Sequence, residues 1–78
     1  MNKRKIRLKT PEETTEFINI CSTYSSDINV LDGSIELDAK SIVSMFSIAN
    51  GKVVEVEIIS SDEKEIERFI DKTRKFEV

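Results

Sequence analysis

Few side chains in this sequence can do acid-base, nucleophilic or metal chemistry. The 78 residues include no histidine and one cysteine, Cys21. Without an imidazole, Ser-His-Asp and Cys-His sites are excluded, and one cysteine is too few for a zinc site. Glu55 and Glu57 are of the residue type that forms general acid-base pairs, but on a predicted strand both point outward into solvent. We therefore predict a protein that is not an enzyme and holds no metal or cofactor.

Two other reactive side chains have plain structural interpretations. Cys21 falls on the apolar stripe of a predicted helix, which favours a small core residue over a reactive thiol. Ser41 precedes a short apolar helix, where a hydroxyl is a preferred N-cap.

Length and charge narrow the class of protein further. The chain is long enough for a single domain, residues 1–78, and it cannot form an internal disulfide. Its 12 basic and 15 acidic residues give a net charge of −3, which argues against direct binding of nucleic acid. No apolar run reaches the roughly 18 residues of a membrane span, and no apolar segment follows the basic start as in a secretory signal. We expect a cytoplasmic protein without a membrane partner.

Apolar periodicity predicts the first elements of the fold. Ile6 and Leu8 alternate with basic residues in a strand over 3–9. Thr10-Pro11-Glu12-Glu13 has the pattern of an N-cap, a first-turn proline and a capping box. A helix over about 11–23 follows, with its apolar stripe at Phe17, Ile18, Cys21 and Tyr24.

The rest of the chain continues in the same way. Asp32-Gly33 predicts a two-residue hairpin loop between strands over 27–31 and 34–37. A short helix within 38–49 ends at Asn50-Gly51, and a strand runs from Val53 to Ile59. The last helix opens at 60–63, and we expect its buried stripe at Ile66, Phe69, Ile70 and Phe76 and a surface pair between Asp71 and Lys75.

The order β-α-β-β-α-β-α predicts an α+β open-faced β-sandwich. We expect one four-stranded antiparallel sheet in the order 1-4-2-3 with three helices on one face. This order places Lys5 and Arg7 of the first strand near Glu55 and Glu57 of the fourth. We therefore interpret the basic strand as charge-paired within the sheet rather than as a surface for nucleic acid or an acidic partner.

Residues 38–48, Asp-Ala-Lys-Ser-Ile-Val-Ser-Met-Phe-Ser-Ile, resemble the regulatory-serine segment of HPr, the histidine-containing phosphocarrier of the bacterial phosphotransferase system. The element order is also that of HPr, so the resemblance covers about residues 3–76. It implies an HPr-like fold.

The active-site motif of that family is absent. The resemblance places a Gly-Leu-His-Ala-Arg-Pro-Ala motif between the first strand and first helix, where this chain has Leu8 to Thr15 and a shorter connection. In the family, phosphate sits at the helix start, where free N–H groups favour an anion. Glu12 and Glu13 place carboxylates there instead, so we expect no phosphohistidine transfer.

The resemblance implies roles for the residues around the short helix. Ser41 matches the serine that a dedicated kinase phosphorylates in many Gram-positive bacteria, and Lys40 beside it would pair with such a phosphate. Ile42, Val43 and Phe46 match an apolar docking patch for partner proteins. Two alternatives stay open: Ser41 is only an N-cap, or these three residues join Met45 and Ile48 in the core.

The function implied is an HPr-like protein-binding and regulatory module without phosphohistidine transfer, with a serine kinase or a transcription regulator as its partner. Relatives without the histidine are known that bind a transcription regulator when phosphorylated on the serine. One alternative is an accessory subunit or phosphotransfer component of a sugar phosphotransferase system that works through another residue. Another is a structural relic of the fold.

Overall fold

The computed structural model describes residues 3–48 and 51–78. Its elements follow the predicted order: β1 (Lys3–Arg7), α1 (Pro11–Ser22), β2 (Asp27–Asp32), β3 (Ile35–Asp38), α2 (Ile42–Ile48), β4 (Val53–Ile59) and α3 (Glu63–Thr73), followed by a 3₁₀ turn over Arg74–Phe76. The strand predicted over 3–9 ends earlier, at Arg7. The predicted end of the second helix, at Ala49 and Asn50, lies outside the described residues.

The four strands form one antiparallel sheet in the order β1-β4-β2-β3, which confirms the predicted topology. Lys5 stands opposite Glu55, as expected. Arg7, however, stands opposite Val53, and it is Lys3 that faces Glu57. Arg7 is therefore the diagonal neighbour of Glu55, so both basic residues lie near the acids of β4, as predicted.

One face of the sheet carries the helices and the core. The core side chains come from alternate strand positions and from one side of each helix: Ile6, Leu8, Phe17, Ile18, Cys21, Ile28, Val30, Ala39, Met45, Ile48, Val54, Val56, Ile58, Phe69 and Phe76. Phe17 of α1 meets Phe76 edge to face with ring centroids 5.7 Å apart. Tyr24 meets Phe69 in the same way at 5.5 Å. These two pairs join α1 to α3 and the turn that follows α3.

The β2–β3 hairpin turns one residue later than the sequence pattern predicts. Asp32 pairs with Ile35, so the loop consists of Gly33 and Ser34 rather than Asp32 and Gly33. Gly33 has φ of +63°, and no other residue type among those described has a positive φ. A tight hairpin loop with glycine in its first position and a negative φ in the second is the type II′ arrangement. The glycine therefore belongs at the start of the loop.

The end of the chain differs from prediction in its surface contacts. Lys75 forms an ion pair with Glu16 of α1 rather than with Asp71. Oδ1 of Asp71 lies 3.9 Å from Nη2 of Arg74. Phe69 and Phe76 are buried as predicted, whereas Ile66 and Ile70 are half-buried. The prediction assumed a helix continuing past Lys75, but α3 ends at Thr73 and the backbone tightens into a 3₁₀ turn.

Glu65 joins three segments at the start of α3. Its Oε1 accepts hydrogen bonds from the hydroxyls of Ser26 and Ser60, each at 2.6 Å. The helix itself is capped by Asp62, whose Oδ1 accepts from the backbone N–H of Lys64 at 3.0 Å. The hydrogen bond from Ser26 and then that from Ser60 lower the pKa of Glu65 from its ordinary value of 4.5. The ionised carboxylate is therefore the form that this arrangement stabilises.

We predict that Glu65 makes the folding stability depend on pH. A lowered pKa contributes stability that is present above pH 4.5 and lost as the pH falls through the folded-state value. Glu65→Gln does not titrate, so its deficit in urea midpoint relative to wild type should be largest at neutral pH and shrink in acid. Glu67→Gln, an exposed position on the same helix, serves as the control. An equal Glu65→Gln deficit at both pH values would contradict the prediction.

Candidate protein-docking surface

Helix α2 exposes three of its five large apolar side chains. Ile42 is 64 % exposed, Val43 82 % and Phe46 40 %. Met45 and Ile48 are buried. We call Ile42, Val43 and Phe46 together the α2 surface.

The division follows from helical spacing. Val43 and Phe46 are three residues apart and share one side of the helix, and Met45 and Ile48 share another. The sheet covers α2 from one direction only, so one apolar side is left in solvent. The arrangement in which all five side chains join the core is therefore not the one observed. A contiguous group of exposed apolar side chains is typical of a surface that contacts another protein.

Ser41 occupies the N-cap position of α2. Its carbonyl oxygen accepts the first helical hydrogen bond, from the N–H of Met45 at 2.9 Å. Its Oγ accepts from the N–H of Ser44 at 3.4 Å, which is a long hydrogen bond. The hydroxyl thus caps the helix weakly, and its hydrogen is free to be donated elsewhere.

Lys40 is held against the end of α1. Its Nζ donates to the carbonyl oxygen of Tyr24 at 2.7 Å, and its backbone N–H donates to Oδ1 of Asp38 at 2.9 Å. A cation at the end of a helix is favoured by the helix dipole. The sequence predicted that Lys40 pairs with a phosphate on Ser41, and it did not predict the hydrogen bond from Lys40 to Tyr24. A contact with a backbone carbonyl 16 residues earlier in the chain leaves no local sequence pattern.

The start of α1 is capped by the side chains of Thr10 and Glu13. Oγ1 of Thr10 accepts from the N–H of Glu13 at 3.1 Å, and Oε1 of Glu13 accepts from the N–H of Lys9 at 2.8 Å. The predicted capping box therefore forms, except that Glu13 reaches the residue before the N-cap. Pro11 contributes no N–H at all. At this helix start Pro11 therefore offers no N–H to an anion, the N–H of Glu13 is already paired, and two carboxylates stand beside them.

We predict that Thr10→Ala lowers the free energy of unfolding by about 0.5–2 kcal/mol because the N–H of Glu13 loses its acceptor. Thr15→Ala, an exposed position within the same helix, is the matched control and should change stability little. Thermal melts of the two variants make the comparison. Equal midpoints would show that Thr10 contributes no cap.

Two hydrogen bonds place the α2 surface relative to α1. Lys40, before α2, touches Tyr24 after α1, and the N–H of Gly51, after α2, donates to the carbonyl of Leu8 before α1 at 3.2 Å. The two helices are therefore antiparallel. The α2 surface has Lys40 and Ser41 at one end and the acidic start of α1 toward the other.

The other side chains and cavities that could react or bind a ligand are poorly suited to either role. Burial is the main cause that raises the pKa of the Cys21 thiol to about 12, so the thiolate needed for reactivity is scarce at neutral pH. A depression between α2 and β4, lined by Leu8, Met45, Ile48, Lys52 and Val54, has a volume of about 10 Å³, which is room for about one water molecule. Ligand pockets usually measure about 300–1,000 Å³. Residues 3–48 and 51–78 contain no cluster of three potential metal ligands and no helix long and apolar enough to cross a membrane.

Solved structures of phosphocarrier proteins share this architecture, although no family model and no curated protein matches the chain. HPr-C-His from Thermoanaerobacter tengcongensis has a TM-score of 0.72 and 25 % identity over 94 % of this chain and 90 % of its own. The phosphocarrier HPr of Bacillus anthracis has a TM-score of 0.68 and 18 % identity, covering 90 % of this chain and 93 % of its own.

A third structure is that of Crh, the catabolite repression containing protein of Bacillus subtilis. Its TM-score is 0.65 and its identity 20 %, over 94 % of this chain and 87 % of its own. All three likenesses span nearly the whole of both chains. Together with the sheet order β1-β4-β2-β3 and the helices on one face, they show that this histidine-free chain has the fold of the HPr family.

Proposed function

We propose that this chain is a single HPr-like domain that binds other proteins in a bacterial phosphotransferase or carbon-regulation system and does not carry phosphate on histidine. It acts in the cytoplasm as a regulatory partner rather than as an enzyme. Its docking site is the α2 surface together with Lys40, and Ser41 is the residue whose phosphorylation changes the choice of partner. An HPr-type serine kinase and a transcription regulator are the partners that the family resemblance favours.

The observation that carries this proposal is the exposure of Val43 and Phe46 immediately after Ser41 on an HPr fold. A Val side chain that is 82 % exposed contributes almost nothing to the core. In a partner complex the same side chain is buried, and a few such anchors supply most of the binding energy.

The start of α1 supports the proposal that the chain carries no phosphate on histidine, and the weak cap at Ser41 supports the proposal that Ser41 is phosphorylated. Glu12 and Glu13 disfavour a phosphate there, and the capping hydrogen bonds use the N–H groups of Lys9 and Glu13. The half-buried Ser41 hydroxyl is held only by a 3.4 Å hydrogen bond, so its modification disrupts little of the fold. A phosphate would add about −1.5 to −2 charges next to the apolar anchors and so alter which partners fit.

We predict that Val43→Asp lowers the kcat/KM of an HPr-type serine kinase for Ser41 by about thirty-fold, which corresponds to the loss of about 2 kcal/mol from one anchor. Ile59→Asp is the matched control, since Ile59 is 50 % exposed at the end of β4. The assay follows phosphate incorporation from ATP with each variant. Equal loss of kcat/KM in both variants, or none in Val43→Asp, would contradict the assignment of the α2 surface.

A further inference from the structure

The outer edge of β1 is only partly covered. β1 is the first strand of the sheet, so one side of its backbone faces away from β4. The segment Glu77–Val78 lies against this edge: Glu77 forms an isolated antiparallel bridge with Ile6, and the N–H of Val78 donates to the carbonyl of Lys5 at 3.1 Å. This short segment shows that the edge accepts an antiparallel strand.

Arg4 holds that segment through hydrogen bonds to Glu77. Its Nε and Nη2 donate to Oε1 of Glu77 at 3.2 and 3.1 Å, and Nη2 also donates to Oγ1 of Thr73 at 2.9 Å. The guanidinium lies over the ring of Phe69, 5.8 Å from its centroid. Its Nη1 is buried and has no hydrogen-bond partner among the described residues. Arg4 therefore has donor capacity that Glu77 leaves unused.

The other face of β1 presents a row of cations. Lys3, Lys5 and Arg7 are exposed at alternate positions, roughly 7 Å apart along the strand. Lys3 and Lys5 stand opposite Glu57 and Glu55 in the register. Within the described part of the chain, however, none of the three cations lies within 4.0 Å of a carboxylate. Their charges are free to meet a second acidic strand on the open side.

The strand that β1 already binds shows what such a partner looks like. β4 alternates Val54, Val56 and Ile58, which face the core, with Glu55 and Glu57, which face the same side as the cations. A second strand of this composition would place its acids beside the other flank of Lys3, Lys5 and Arg7. Opposite charges in neighbouring strands stabilise pairing, and like charges oppose it.

We propose that the outer edge of β1 binds an extended acidic segment of a partner protein as a fifth antiparallel strand, in place of Glu77 and Val78. One acidic side chain of the incoming segment takes the position of Glu77 on Arg4, and the others face the row of cations. A second copy of this chain fits less well at the same edge, because its Lys3, Lys5 and Arg7 would face their own counterparts. This surface is separate from the α2 surface, and the inference does not depend on the proposed function.

Opening the edge requires only a local change. Phe76 is buried against Phe17, so the chain stays anchored up to that residue when Glu77 and Val78 leave. The side chain of Glu77 is 42 % exposed, whereas that of Arg4 is 12 % exposed and keeps its hydrogen bond to Thr73 when Glu77 leaves. The acidic side chain of the incoming segment takes the place of Glu77, so the buried guanidinium is not left without a counter-charge. Binding of this kind relies on backbone hydrogen bonds for affinity and on alternate side chains for specificity.

The test uses a labelled synthetic peptide with the sequence of residues 53–59 carrying Val56→Glu, so that one acid can face Arg4 and two can face the row of cations. In the control peptide all three glutamates are lysine. We expect the acidic peptide to bind the full chain and shift the NMR signals of β1, and Glu77→Ala to bind it about ten-fold more tightly because its competitor is removed. Lys5→Glu should weaken binding about ten-fold through charge reversal, whereas Lys72→Glu on α3 should leave it unchanged.

Several results would overturn the proposal. These are equal binding of the two peptides, no effect of Lys5→Glu, NMR shifts confined to β3, or a preference of the same site for single-stranded DNA. Dimerisation of Glu77→Ala in place of peptide binding would assign the edge to a second copy instead. Circular dichroism confirms that each variant is folded. Because Lys5→Glu also places a carboxylate opposite Glu55, Lys5→Gln, which only removes the charge, is measured beside it and should weaken binding in the same direction.

Discussion

Phe17→Ala is expected to lower the free energy of unfolding by about 3–5 kcal/mol, a large part of the stability of a chain this short. Phe17 is fully buried at the centre of the core and meets Phe76 edge to face. Its removal leaves a cavity and also breaks the contact that fixes the chain before Glu77. Urea unfolding followed by circular dichroism measures the effect.

Phe46→Ala makes the same chemical change at a side chain that is 40 % exposed. It should destabilise the protein much less, because less apolar area returns to water and the site borders solvent. Equal destabilisation by the two variants would mean that Phe46 belongs to the core, and the α2 surface would lose its central residue. The comparison therefore tests the packing and the docking surface together.

The fold was predictable because local signals agree with one another. Single-faced alternation in β4, the capping pattern at Thr10 and the glycine of the hairpin each point to the same element order. The core residues of α1 and β4 follow directly from these periods. The hairpin loop was predicted one residue too early, because Asp-Gly and Gly-Ser loops are both compatible with the flanking sequence. Only the strand register decides between them.

The candidate surface was less predictable, for a physical reason. A helix with five large apolar residues does not show which of them the sheet will cover, since that depends on how the helix is rotated in the fold. The structure settles this by burying Met45 and Ile48. The contact of Lys40 with Tyr24 and that of Arg4 with Glu77 join residues 16 and 73 positions apart, respectively. Such pairings arise from tertiary packing and leave no spacing pattern in the sequence.

The absence of histidine and the carboxylates at the start of α1 both oppose phosphate binding at this position. A histidine placed before α1 would meet Glu12 and Glu13, and the N–H of Glu13 already donates to Thr10. Restoring the residue alone would therefore not restore a phosphate site. Ser41 lies at the other end of the docking region, beside Lys40 and away from these carboxylates.

The most direct measurement compares two phosphoryl donors on the intact protein by mass spectrometry. One reaction contains phosphoenolpyruvate and the phosphotransferase enzyme I, and the other contains ATP and an HPr-type serine kinase. Wild type, Ser41→Ala and Ser44→Ala are treated in parallel, with Ser44 as a half-buried serine three residues along the chain. Acid treatment distinguishes a labile phosphohistidine-type bond from a stable phosphoserine.

We expect no phosphate from phosphoenolpyruvate in any of the three proteins. The kinase should add one acid-stable phosphate to wild type and to Ser44→Ala and none to Ser41→Ala. Acid-labile phosphate on wild type after the enzyme I reaction would contradict the central claim, because it would show that the chain still carries phosphate through another residue.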